Sequence, residues 1–358
     1  MTGGKDILVH LGGGMGDILL ATPMIEMLSR GGYRVDVCLQ GDTPGVEGLF
    51  HGWKHARKVS TEAVDFISNN YHYYIYGGDV SGPPIAFRNR AEAITLHPMW
   101  DWHHSHHMYS EVEMYTHLAR AIDADLPVLT QPSCTTSDRT FQDITEQTCV
   151  LVPGGQRNMI IRKWPKFGEL AQRLADVAVV GTPPDLDMSN RIVFPGWTRH
   201  VFGQKLDYPG RTWAMARTFA DRYDDPLIFP PHVKNYIGKL SLEDTAALIS
   251  QAGFVVGNDC GISHLAVALG KPVFVLLGPT SRRRVYPEFW SHVRVITRRY
   301  DCQPCQEKDR GLNVWRQSMS QCYCPYRLRC MNDIDVDEVM AVLEQFCGQL
   351  LQSRSVAT

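Results

Sequence analysis

Short apolar runs bounded by glycine, proline or polar clusters recur along the chain, and stretches with helical spacing separate them. Asp6 to Leu11, Tyr33 to Leu39, Tyr73 to Tyr76 and Ala93 to Leu96 read as strands. Brief apolar runs of this kind suit a parallel sheet covered on both faces. Between the first two, Leu19, Leu20, Met24, Met27 and Leu28 carry a helical period that Gly31-Gly32 ends. From Ser110, a second helical stripe of Val112, Tyr115, Leu118 and Ile122 closes at Leu126-Pro127. Alternating strand and helix predicts an open, mostly parallel sheet.

A polar stretch rich in Ser and Thr then leads to Cys149, where the pattern begins again. The second series contains strand Cys149 to Val152, helix Phe167 to Leu174 and strand Val177 to Val180. Ser241-Leu242-Glu243-Asp244 resembles a capping box before a helix of Ala246, Leu248 and Ile249. Phe254 to Val256 and Val273 to Leu277 are two more strands, joined through a helix carrying His264, Leu265, Ala268 and Leu269. Val336 to Phe346 is amphipathic, with Val336, Val339, Leu343 and Phe346 on one stripe. The expected plan is a first domain at 1–132, a linker at 133–148, a second domain at 149–335 and a terminal helix with its tail at 336–358. Residues 189–233, rich in Pro, Gly and aromatics, read as an insertion of unknown role.

Bulk properties narrow the classes. A chain of 358 residues with 44% hydrophobic content can fill two cores. Its net charge of −2 gives no basic field, which argues against nucleic acid as a partner. No run reaches transmembrane length, and MTGGKDILVHLGGG enters a strand without a basic and apolar leader. The expected compartment is the cytoplasm, with a peripheral place at a membrane face left open.

Candidate chemistry falls in the loops where strands enter helices. There, free backbone N–H groups and the helix dipole favour an anion. Gly12, Gly13, Gly14, Met15, Gly16 and Asp17 form one such loop. It departs from the dinucleotide fingerprint, because Asp17 stands where that spacing needs its third glycine and a carboxylate would repel pyrophosphate. Asp17 reads as a general base or as a cap of the following helix. Asn258, Asp259, Cys260 and Gly261 form another loop, in which Asp259 is either a cap or a ligand contact. Arg157, Arg162 and Lys163 follow the strand at 149–152 and suit phosphate or an exposed surface. The same choice applies to Arg282, Arg283 and Arg284. His97, His103, His104, His106, His107 and His117 lack the spacing of a metal motif and read as a polar, substrate-facing loop.

Of ten cysteines, Cys302, Cys305, Cys322, Cys324 and Cys330 crowd into 301–331. Four thiolates suffice for a tetrahedral zinc or iron centre that staples a loop. Cys302, Cys305 and Cys330 are the expected ligands, and Cys322 and Cys324 compete for the fourth place. A redox C-x-x-C pair is the other reading.

Together, LVHLGGGMGDILLATPMIEML, LVPGGQRNMIIRKWPKFGELAQRLA and VVGNDCGISHLAVALGKPVFVLLGPT resemble glycosyltransferase family 9, the heptosyltransferases. The C-x-x-C, Cys-Pro and Cys-Met tail is similar to that of a subset that includes iron-holding protein heptosyltransferases, a likeness that favours Cys324 over Cys322. The resemblance implies a GT-B fold, an α/β architecture of two Rossmann-like domains facing across a cleft, with the last helix returning to the first. It implies inverting sugar transfer from a nucleotide-diphosphate donor resembling ADP-heptose to an acceptor hydroxyl on a glycan, protein or small molecule. Asp17 matches the general base, Lys163 a phosphate contact, and Asp259, Gly261 and His264 the donor loop. Gly14, Gly16, Asn258, Cys260 and Arg283 join them as expected donor-binding positions. A structural iron or zinc is expected at the cysteines and no divalent ion in catalysis. A silent nucleotide-sugar-binding module and a sugar-nucleotide epimerase are the rival readings.

Overall fold

The computed structural model describes residues 4–41, 43–67, 69–77, 92–95, 109–155, 162–186, 188, 226–304 and 328–351. Its strands are β1 (Asp6–Gly13), β2 (Arg34–Gly41), β3 (Lys58–Ser60), β4 (Tyr73–Gly77), β5 (Glu92–Thr95), β6 (Cys149–Val152), β7 (Val177–Val179), β8 (Lys234–Asn235), β9 (Phe254–Asn258), β10 (Val273–Leu276) and β11 (Val293–Ile296). Its helices are α1 (Met15–Leu20), α2 (Thr22–Arg30), α3 (Val64–Ile67), α4 (Glu111–Ile122), α5 (Phe167–Arg173), α6 (Leu242–Gln251), α7 (Gly261–Ala268), α8 (Arg282–Val285), α9 (Arg329–Asn332) and α10 (Val336–Leu351).

Two sheets form, with orders β3-β2-β1-β4-β5 and β11-β10-β9-β6-β7-β8. Every recorded strand pair is parallel, for example Ile7 opposite Val35 and Tyr73, and Val255 opposite Val150 and Val273. This follows from the continuous apolar runs, which leave no polar face to turn toward water. The strands leading into the two candidate loops, β1 and β9, are interior to their sheets. A strand there is held on both sides, so the loop at its carboxyl end starts from a fixed point.

Ile7, Val9 and Leu11 of β1 are buried with Ile18, Leu19, Met24 and Met27, and the same apolar cluster continues through Met15 to Leu265 and Val275 of the second half. The two halves are therefore joined by packed side chains where α1 meets α7. A second cluster lies on the other face of the second sheet, around Trp164, Phe167, Phe254 and Phe274.

Several expectations change. The helix expected to run unbroken to Gly31 divides at Ala21, which caps α1 and precedes α2, with Pro23 in the first turn of α2. A proline there needs no N–H partner and suits a helix start. The chain from 133 to 148 is tied to both halves: Thr135 N–H donates to Leu49 O, and Ser137 and Arg139 donate to the Asp244 carboxylate. Asp244 is thereby taken from the expected capping box, although Ser241 Oγ still accepts from its N–H at 3.1 Å.

The final helix packs through Val339, Met340, Leu343 and Cys347 on the second half. Trp164 Nε1 donates to Ile334 O at 3.0 Å just before it, and Arg173 pairs with Asp337 at its start. Over its described side chains, α10 thus covers the second domain where a return to the first was expected. Phe346 does not complete its buried stripe: it is 45% exposed beneath the Arg294 guanidinium, and Cys347 is buried instead. The insertion up to 225 and the histidines from His97 to His107 lie outside the described residues.

Candidate functional site

The glycine loop is filled from within the chain. Gly13 has φ +87°, and a Cβ on it would meet Asp17 Oδ2 at 2.5 Å, so both its conformation and its contact require glycine. Asp17 Oδ2 accepts from Gly14 N–H at 2.8 Å, the backward half of a cap at the start of α1. A Cβ on Gly16 would meet His264 Cδ2 at 2.8 Å. The close approach that these glycines permit is therefore made by Asp17 and His264, where the sequence suggested a second molecule. Asp17 is half-buried, and among the described residues its Oδ1 has no hydrogen bond.

Across the domain junction, the loop after β9 is built differently. Asn258 is buried and spent on the backbone: Oδ1 accepts from Trp164 N–H at 3.0 Å, and Nδ2 donates to Pro153 O at 2.8 Å and Gly154 O at 3.3 Å. It shapes the loop after β6, and its amide protons are not open to a donor. Cys260 is the N-cap of α7 without a side-chain cap bond, and burial pushes its thiol up to about 11. Gly261 accommodates Met15, whose Cε would lie 2.6 Å from a Cβ there. The cap expected of Asp259 is absent. Its carboxylate is 2% exposed, with Oδ2 at 3.2 Å from Arg162 Nη1 and Oδ1 at 3.7 Å from His264 Nε2. Burial alone would raise its pKa, but Arg162, His264 and Thr280 outweigh it and hold the carboxyl far below the ordinary range.

The His264 ring is stacked on Tyr286, with centroids 4.6 Å apart and planes 1° from parallel. Both are buried. His264 Nδ1 and the Tyr286 hydroxyl have no hydrogen-bond partner among the described residues. Two unsatisfied polar atoms in one buried stack are unusual, and they adjoin the Asp259 carboxylate. Glu111, the first residue of α4, lies at the same junction, 1% exposed, and accepts from Arg284 Nη2 at 2.7 Å and Nε at 3.3 Å. Burial lifts its pKa to about 6, with Arg284 and His264 opposing and Asp17 reinforcing the rise. The structure thus gathers Asp17, Gly16, Arg162, Asp259, His264 and Arg284 and adds Glu111 and Tyr286. Glu111 had one signal, its place after Ser110 at a helix start, and that signal concerns capping alone.

Other expected residues have contacts of their own. Lys163 is 4% exposed, with Nζ at 3.3 Å from Pro184 O and 3.5 Å from Asp185 O. Arg283 lines a cavity of about 690 Å³ with Arg282, Arg299, Tyr300, Gln303 and Thr280, the last of which also acts on Asp259. Arg282 makes the surface pair expected of one of the three arginines, at 3.7 Å from Glu288. Arg157 lies outside the described residues.

Cys302 is half-buried and Cys330 buried, and Cys305, Cys322 and Cys324 fall outside the described residues. Among the described residues, no three His, Cys, Asp or Glu side chains gather as a metal group. The two ends of the segment nonetheless converge on Gly278. Gln303 Nε2 donates to its carbonyl at 2.7 Å, and a Cβ on it would lie 3.0 Å from Cys330 Sγ.

Residues 220–315 match the sequence model of glycosyltransferase family 9 (heptosyltransferase). Lipooligosaccharide heptosyltransferase 2 of Haemophilus influenzae is 40% identical over 132 residues, 34% of this chain and 37% of that relative's length. The aligned part thus spans little over a third of it. By fold, the chain is similar to E. coli ADP-heptose lps heptosyltransferase II, with TM-score 0.56, 18% identity, and coverage of 95% of this chain and 99% of the other. It is also similar to the dodecameric iron-containing heptosyltransferase TibC from enterotoxigenic E. coli H10407, solved with ADP-D-beta-D-heptose, with TM-score 0.59, 15% identity, and coverage of 97% and 78%. The fold is GT-B, as the resemblance implied, and among the described residues no helix is long and apolar enough to cross a membrane. The likeness read from the three sequence motifs is borne out: in sequence over part of its length and in fold over nearly all of it, the chain is similar to glycosyltransferase family 9, the heptosyltransferases.

Proposed function

We propose that the chain is an inverting glycosyltransferase that moves a heptose-like sugar from an ADP-sugar to an acceptor hydroxyl, with Asp17 as general base. The observation that carries the reading is the meeting of Asp17, whose Oδ1 has no hydrogen bond among the described residues, with the Asp259, His264 and Arg162 cluster of the other half. In a single displacement the acceptor oxygen attacks the anomeric carbon as the bond to diphosphate breaks. The hydroxyl proton must leave as the new bond between the acceptor oxygen and the anomeric carbon forms. Asp17 takes it, a contribution of about a hundredfold or more. Negative charge grows on the leaving diphosphate, and Lys163, Arg162 and the amino end of α7 supply positive potential without reorganising. Asp259 and His264 orient the donor sugar beside them, and Gly14, Gly261 and Cys260 shape its loops. Arg283 meets the donor from its cavity, which Thr280 shares.

We assign the four thiolates of Cys302, Cys305, Cys324 and Cys330 to a structural iron or zinc, which when bound would cross-link the loop. The convergence on Gly278 supports the assignment, as does the iron content of TibC. Elemental analysis of the purified protein should find about one metal per chain; a metal-free, folded protein would refute it.

Thermal unfolding with a panel of nucleotide sugars tests the donor. A bound donor raises stability by mass action, so ADP-heptose should raise Tm most. No shift with any ADP-sugar would overturn the donor assignment, and a shift without transfer would point to a binding module.

A further inference from the structure

The Glu111–Arg284 pair at the junction remains unexplained by donor or base chemistry. Its partners come from α4 of the first half and α8 of the second, 173 positions apart. The carboxylate is 1% exposed and the guanidinium 11%, with two contacts at 2.7 and 3.3 Å. Directional hydrogen bonds of this kind fix orientation as well as separation. Among the described residues, Arg284 from α8, Asp17 from α1, His264 from α7 and Tyr115 one turn along its own helix act on Glu111. The pair therefore stands between the expected base and the donor loop while touching neither chemistry.

We infer that Glu111 and Arg284 form an interdomain positioning pair that holds Gly16 and Asp17 against His264 in the arrangement sugar transfer requires, an inference that rests on the transferase reading above. The pair is a poor source of stability. Burial of the carboxylate outweighs the attraction of Arg284 enough to lift its pKa from 4.5 to about 6. A carboxyl whose folded pKa is raised makes the folded state bind more protons, so its contribution to stability falls as pH rises from 4.5 to about 6. Above that range the ion pair exists at the expense of stability, which is the pattern of a group kept for geometry. Below it Glu111 is neutral and the ionic hold on Arg284 is lost.

Glu111→Gln keeps the shape and an acceptor oxygen while removing the charge. We expect its Tm at pH 7 to match or exceed that of the wild type and its kcat to fall roughly ten- to a hundredfold, the effect of a small misplacement of reacting groups. Donor affinity by calorimetry should be unchanged. The wild type should lose kcat as pH falls through about 6, and E111Q should lack that limb. Arg284→Met should lower kcat similarly, and the double variant should be no worse than the poorer single variant, because one interaction can be lost only once. Wild-type turnover by E111Q, persistence of the acid limb in E111Q, or multiplying losses in the double variant would overturn the inference. If the wild type transfers no sugar, the transferase reading fails, and hydrogen exchange at Gly14 and Ile18, whose N–H groups are bonded to Asp17 Oδ2 and Gly14 O, still tests the pairing. Exchange should speed up in E111Q, and unchanged protection would refute the hold.

Discussion

Asp17 and Asp259 occupy equivalent places, each where an interior strand of a parallel sheet gives way to a helix, yet their surroundings are opposite. Asp17 is half-buried and, among the described residues, held by one backbone N–H, with Glu111 among its neighbours. Asp259 is sealed at 2% exposure and paired with Arg162. A carboxylate must be accessible and weakly held to take a proton, and must be fixed to orient other groups. The same side chain on the same supersecondary frame thus serves two purposes, decided by partners that come from elsewhere in the chain.

Stability should separate the two most sharply. Asp259→Ala leaves Arg162 and His264 facing an empty position and should cost about 3–5 kcal/mol in chemical denaturation, as loss of one partner of a buried pair does. A cost below about 1 kcal/mol would mean that the carboxylate is solvated in solution. Asn258→Ala comes next, because it strands the buried Trp164 N–H and frees two carbonyls; about 2–3 kcal/mol is expected. Gly16→Ala drives a methyl group into the His264 ring and should cost about 1–3 kcal/mol, with a matching loss of donor-dependent stabilisation. Asp17→Ala should be mildest, at about 1 kcal/mol or less, since it removes a single cap interaction.

The acid limb of stability sharpens the same contrast. The pKa of Asp259 is depressed from 3.8 in the folded state, so its contribution is complete above that value and is lost as pH falls below it. Asp259→Asn should flatten the limb below pH 4, seen as a smaller drop in Tm between about pH 4 and pH 2.5 than in the wild type. An unchanged limb would show that Arg162 does not hold the carboxylate.

Strands were legible where apolar runs were continuous, because a buried parallel strand must be apolar on both sides. β11 escaped notice: Val293-Arg294-Val295-Ile296 carries a cation in mid-run, which the fold tolerates by laying the guanidinium over Phe346. The last helix is kinked at Cys347, with φ −124° and ψ 18°, and there Cys347 rather than Phe346 is buried. Both glycine loops were visible as local punctuation, but what fills them was not. His264 against Gly16, Arg162 against Asp259 and Arg284 against Glu111 join distant positions, and no local period records such pairs. Asn258 shows the reverse error: its place beside Asp259 suggested a ligand contact, while its side chain serves the neighbouring loop.

Transfer by Asp17→Asn, measured with ADP-heptose and an accepted hydroxyl substrate alongside calorimetric donor binding, tests the central claim most directly. The account predicts kcat reduced by about a hundredfold or more with donor affinity retained. Transfer at the wild-type rate would contradict it.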